Sequence, residues 1–170
     1  MAGAETPTGG AEFDIRVAWR RDDLRIEADA IAMWIRLGVL PSDVRPEARA
    51  KQLVAAAYSG DRLAAVATAV PEQVAFLRAR MLVLRGMTDP DFRRSRAQVA
   101  LTLPVKKVLE AWSAAHPDER IGGVIGFVEP GIWGEMYRMP VAPPWPLTLV
   151  AYTHDGRQVR VAWFDHFRFD

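Results

Sequence analysis

A helical pattern followed directly by a near-continuous apolar run, over residues 92–128, constrains this chain more than any other stretch. Between Phe92 and His116, Val99, Leu103, Lys106, Leu109, Glu110 and Trp112 recur at helical spacing, and Pro117 closes the pattern. Pro104 lies inside it without an amide proton, which predicts a kink or a split there. Ile121–Val128 is then apolar throughout, with Gly122, Gly123 and Gly126, as in a strand buried on both faces. Upstream, Gln52–Tyr58 and Arg62–Val70 flank Ser59-Gly60-Asp61, where glycine supplies the positive φ of a tight hairpin turn. Ala55, Ala56 and Ala57 suit a helix equally well. After Pro71, Val74–Met87 reads as a third strand. A meander followed by a strand–helix–strand crossover predicts a mixed sheet.

The flanking segments fit that plan. Phe13–Trp19 alternates in the manner of a half-buried strand. From Asp22 to Leu37 the period becomes helical, with Leu24, Ala28, Ile31, Ile35 and Trp34 on one stripe and Arg25, Asp29 and Arg36 opposite. Gly38 ends that helix, and Pro46–Ala50 opens a second, short one. Pro130, Pro140, Pro143, Pro144 and Pro146 leave no regular helix between Glu129 and Pro146, though Gly131–Tyr137 has room to turn once or twice. Leu147–Tyr152 and Gln158–Phe167 pair around His154-Asp155-Gly156. No internal repeat is present. Residues 1–12 read as a flexible tail, lacking the charge and apolar run of a signal peptide. Residues 13–170 read as one α+β domain, with a mostly antiparallel sheet and helices on both faces.

Charge and composition exclude several classes of function. The 22 basic and 21 acidic residues leave a formal charge of +1, which argues against nucleic-acid binding and against a grip on anionic membrane. No apolar stretch is long enough to cross a bilayer. With no cysteine there is no disulfide, thiolate metal site or cysteine nucleophile, and a reducing, cytoplasmic setting is expected. His116, His154 and His166 show no ligand spacing, so no metal site is expected. Lys51, Lys106 and Lys107 are the only lysines; the other basic residues are arginine. Codon usage in a GC-rich genome explains that bias, and so does a need for forked donors to phosphate or carboxylate.

The informative loop is Thr88–Gln98, between the third strand and the long helix. A strand–loop–helix turn exposes unpaired amides at the positive end of a helix, and Arg93, Arg94 and Arg96 add charge there. Pro90-Asp91-Phe92-Arg93 resembles the Pro-x-(Tyr/Phe)-Arg lead into the pyrophosphate loop of the GNAT family, the Gcn5-related N-acetyltransferases. The element order over residues 13–167 is similar to that fold as well. The family pattern continues (Gln/Arg)-x-x-Gly-x-(Gly/Ala), and Arg93 fills its first position. Arg96 and Gln98 stand where the small residues belong; their side chains either obstruct the backbone or replace its donors with their own.

The resemblance implies acetyl-CoA as the donor and a small-molecule or peptide amine as the acceptor. It assigns the pyrophosphate to Arg93, Arg94, Ser95, Arg96, Ala97 and Gln98, and the pantetheine arm to Gly86, Met87 and Thr88. Glu72 and Glu129 are the carboxylates expected near the cleft as general base. Tyr137, in the segment where the family has a helix bearing a tyrosine, is the candidate general acid. The replaced glycines and the missing helix equally suit a GNAT-fold binding or assembly module without catalysis. Trp133, Trp145, Met136, Tyr137 and Met139 either line a pocket, form a homodimer contact, or cover the sheet where a helix is missing.

Overall fold

The computed structural model describes residues 12–130 and 135–169, the side chains of Glu135 and Met136 excepted. The tail up to Ala11 and Trp133 therefore lie outside the described residues. Chain order is β1 (Asp14–Val17), α1 (Leu24–Leu37), α2 (Pro46–Ala50), β2 (Leu53–Ser59), β3 (Arg62–Val74) and β4 (Ala79–Thr88). It continues with α3 (Ala97–Ala115), β5 (Ile121–Val128), β6 (Val141–Ala142), β7 (Leu147–Tyr152) and β8 (Gln158–Trp163). The strands form one sheet in the order β1-β2-β3-β4-β5-β8-β7-β6. Among the described residues only β4 and β5 pair in parallel, joined by the α3 crossover; the other pairs are antiparallel.

The hairpin turns at Gly60, whose φ is +60°. Ala55, Ala56 and Ala57 are strand residues, all fully buried. Helices cover both faces of β2, and alanine lets them approach. On one face Leu101, Val105 and Leu109 of α3 pack over Ala55, Ala57, Ala65 and Ala67. On the other, Ile26, Ala30, Met33 and Trp34 of α1 pack over Ala56, Tyr58 and Val66. The expected stripe on α1 is thus corrected: Leu24 and Ile35 are exposed. Trp34 of the expected stripe is buried beside Ile26, Ala30 and Met33, and Ile31 packs at the edge of that cluster, so the inward face is rotated from the one expected. Asp23 caps its N-terminus through the Ile26 amide, and Gly38 ends it at φ +61°.

Two further boundaries differ from expectation. β3 runs through Pro71 to Val74, a short 3-10 turn follows, and β4 begins only at Ala79. α3 begins at Ala97, because Pro90–Phe92 is a separate 3-10 turn. Pro104 neither splits nor ends α3. Leu101 and Val105, both buried beside it, hold the helix to the sheet despite the missing amide.

Candidate functional site

β4 stays paired with β3 to its last residue, Thr88 opposite Ala65, while its pairing with β5 ends at Leu84 opposite Gly126. β5 continues to Val128 alongside β8. The two parallel strands therefore diverge, and Arg85, Gly86, Met87 and Thr88 turn a free backbone edge toward the gap. An extended ligand can add to that edge as a further strand would.

The loop at the mouth of the gap is anchored from below. Asp89 is buried, pairs with Arg36 of α1 and accepts the Asp91 amide at 3.0 Å. Burial pulls the Asp89 pKa upward, but the Asp91 amide and the Arg36 guanidinium outweigh it and hold the carboxyl below its usual range. Arg62 pairs with Asp91 at 2.7 Å and lies over the Phe92 ring, and the Ser95 hydroxyl donates to the Phe92 carbonyl at 2.6 Å. Asp89 and Asp91 thus serve the scaffold. Among the described residues no carboxylate pairs with Arg93, Arg94 or Arg96, all exposed.

Arg96 occupies the left-handed region, φ +65° and ψ +18°, and no side chain caps the helix it opens. The backbone here keeps a conformation that favours glycine although the residue is arginine. No acidic residue lies in the first turn of α3, and the uncapped amides and dipole of a helix N-terminus attract an anion. Gln98, in the first turn, lays its carboxamide over Gly86 and accepts the Thr88 hydroxyl at 3.3 Å.

Across the gap, residues 137–147 are held largely by one side chain of β8. Arg160 is fully buried. Its five N–H groups donate to Gln158 Oε1 and to the carbonyls of Tyr137, Met139, Pro140 and Leu147. A proline-rich segment has few amides for its own carbonyls, and the guanidinium replaces them. Charge in a strand paired with a glycine was the available signal, since Arg160 lies opposite Gly126. The Arg160 guanidinium also lies 5.2 Å from the Tyr137 ring centroid. Burial pushes the Tyr137 phenol up from its ordinary pKa, against the opposing charge of Arg160; it stays protonated at neutral pH. Trp145 is buried against Phe164 in the core, so it covers the sheet rather than lining a pocket.

The two carboxylates part company. Glu72 lies on the α1/α2 face, 3.8 Å from Arg85 at the root of the free edge. Glu129 follows β5 and lies 3.9 Å from Arg157 of the β7–β8 hairpin. Among the described residues no three metal-ligating side chains converge, and no helix is long and apolar enough to cross a membrane.

Among the described residues the sheet has eight strands, and its one parallel pair diverges beside the N-terminus of α3. A GNAT acetyltransferase from Streptococcus pneumoniae superposes at a TM-score of 0.53, with 12% identity over 88% of this chain and 96% of that one. The ribosomal-protein-S18-alanine N-acetyltransferase of Escherichia coli gives 0.44, with 13% identity over 93% and 100%. The Ard1 protein of Thermoplasma volcanium gives 0.45, with 12% identity over 89% and 95%. No family model and no curated protein matches the sequence. The chain has the GNAT fold, and the likeness resides in its backbone path.

Proposed function

We propose that this chain is an N-acyltransferase that moves an acetyl group from acetyl-CoA to an amine, in a cytoplasmic setting. The observation that carries this reading is the free β4 edge, Arg85–Thr88, opening at the uncapped N-terminus of α3. The residues present fit the cofactor: uncapped helix amides and three arginines without a carboxylate partner among the described residues for phosphates, and a strand edge free of β5 for an amide-bearing arm. Acetyl-CoA supplies the acetyl group as a thioester, whose C–S bond breaks as the amine nitrogen bonds to the acetyl carbon. Arg93, Arg94 and Arg96 hold the phosphates, with Ser95, Ala97 and Gln98 shaping the loop between them. Gly86, Met87 and Thr88 orient the arm through their backbone. Glu72 accepts the proton that the amine loses. Tyr137, kept protonated by burial, gives one to the departing sulfur.

Calorimetric titration with acetyl-CoA tests the reading. Saturable binding is expected, weakened at least tenfold when Arg93, Arg94 and Arg96 are all changed to glutamine. A folded protein that shows no saturation at millimolar acetyl-CoA would overturn it. The Gln98 carboxamide lying over Gly86 favours a second reading, a GNAT-fold binding module without catalysis. Turnover of acetyl-CoA against a panel of amines eliminates that alternative.

A further inference from the structure

On the α1/α2 face of the sheet, an open groove of about 380 Å3 runs between the α1–α2 connection and strands β3 and β4. Its charged lining is Asp43, Arg45, Arg49, Glu72 and Arg85. Arg85 belongs to both places, since its backbone begins the free β4 edge and its side chain lines the groove. The groove therefore ends where the acetyl group would be delivered.

Its interior is left electrostatically and chemically incomplete. Arg49 makes no ion pair among the described residues, and its Nε is buried without an acceptor. Gln52 Oε1, also in the lining, is buried without a donor. Burial and the neighbouring charge of Arg85 both push the Arg49 pKa below its ordinary value. The two guanidiniums repel one another, and a further anion beside Arg49 would offset that repulsion. Glu72 pairs loosely with Arg85 at 3.8 Å, and the groove's remaining guanidinium, Arg45, leans toward Glu47 at 3.9 Å, so Arg49 is the cation of the lining left without a carboxylate. Asp43, on the opposite wall, has no ion pair with Arg49 or Arg85 among the described residues.

We propose that this groove binds the acceptor, and that the acceptor is an amino acid whose carboxylate bridges Arg49 and Arg85. A carboxylate offers the planar pair of oxygens that two guanidinium forks match. Gln52 Oε1 then receives an N–H of the same molecule. Glu72, on the neighbouring strand, repels the carboxylate and accepts an amine, which orients the nitrogen toward the β4 edge. The assignment rests on the acyltransferase reading for its chemistry, but the groove's preference for a carboxylate is measurable without turnover.

The test uses the full chain with acetyl-CoA and free-thiol release as readout, which the cysteine-free protein does not contaminate. Methionine, glutamate, their methyl esters, and the cationic amines putrescine and spermidine serve as acceptors. Free amino acids are expected to exceed their esters at least tenfold in kcat/KM. Arg49→Gln and Arg85→Gln are each expected to raise KM for the amino acid at least tenfold more than for its ester. Arg49→Lys should recover part of the loss, separating lost charge from a folding defect, and thermal melts check folding directly. Preference for the polyamines, or variants that affect acid and ester alike, would overturn the assignment while leaving the acyltransferase reading intact. If no acceptor turns over, saturation-transfer NMR with the same amino acids decides: binding lost in Arg49→Gln upholds the groove assignment, and no binding refutes it.

Discussion

The Gln98 carboxamide takes the space a side chain at residue 86 would need: a Cβ built on Gly86 would stand 2.8 Å from Gln98 Cδ and 3.1 Å from its Oε1. Gln98 is the residue that replaces a small one in the GNAT pattern, and Gly86 lies on the free edge of β4. Each is explained by the other, because a glutamine can fold over the strand only where the strand has no side chain.

Gln98→Ala should therefore open the mouth of the cleft. The variant loses one weak, partly buried hydrogen bond to Thr88, about 0.5–1 kcal/mol of stability, and should bind acetyl-CoA three- to tenfold more tightly by calorimetry. Weaker binding would mean that the carboxamide holds the ligand instead of standing in its way.

Arg96→Gly should stabilise the fold. The position is the N-cap of α3 at φ +65°, outside the helix interior, so the usual helix penalty of glycine does not apply. Relief of a left-handed non-glycine residue, about 1–2 kcal/mol, exceeds the entropy that glycine adds to the unfolded chain. A net gain of about 0.5–1 kcal/mol corresponds to roughly 1–4 °C in Tm for a domain of this size. Scanning calorimetry settles it, and an unchanged or lower Tm contradicts the strain argument.

Removing the buried guanidinium at residue 160 should be severe. Arg160→Met removes the side-chain donors that reach the carbonyls of Met139 and Leu147 at 2.9 Å, and leaves that of Tyr137 with Gln158 Nε2 as its remaining donor. A loss of about 3–5 kcal/mol is expected, as for breaking a buried charged network. Lysine should not rescue it, because its three donors cannot reach five acceptors in a plane. Urea denaturation reads the loss, and hydrogen exchange should show it first in residues 137–147.

Asp89→Asn should weaken the protein and flatten its acid response. The native carboxyl titrates below its unfolded value near 4. Its contribution is thus complete above the unfolded value and is lost as pH falls below it and through the lowered native value. Arg36 is more than half exposed, so the solvent-discounted effect is about 1–2 kcal/mol at neutral pH. Urea midpoints of both proteins from pH 3 to 7 should converge at the acid end; a constant gap would rule out the titration.

Tyr137→Phe keeps the ring against Arg160 and removes only the hydroxyl. If the phenol protonates the departing sulfur, kcat should fall ten- to a hundredfold with KM for acetyl-CoA little changed. An unaltered kcat would leave that role to water.

Elements whose signals are local were legible from the chain alone. Gly60 marks a turn wherever it sits, Asp23 and Gly38 bound a helix through their own backbone chemistry, and five prolines forbid a helix whatever surrounds them. The crossover after β4 and the arginine-rich loop followed from the same short-range rules. Tertiary structure decided what depends on the neighbour across the gap. Which face of α1 turned inward was settled by the shape of the alanine-rich sheet. Arg160 is a strand residue by pattern, and only the amide-poor segment folded over it makes its five donors indispensable. Arg49 and Arg85 lie 36 positions apart, and neither motif nor period joins them. Periodicity, capping and turn chemistry act within a few residues, whereas the cost of burying a charge depends on every group the fold brings beside it.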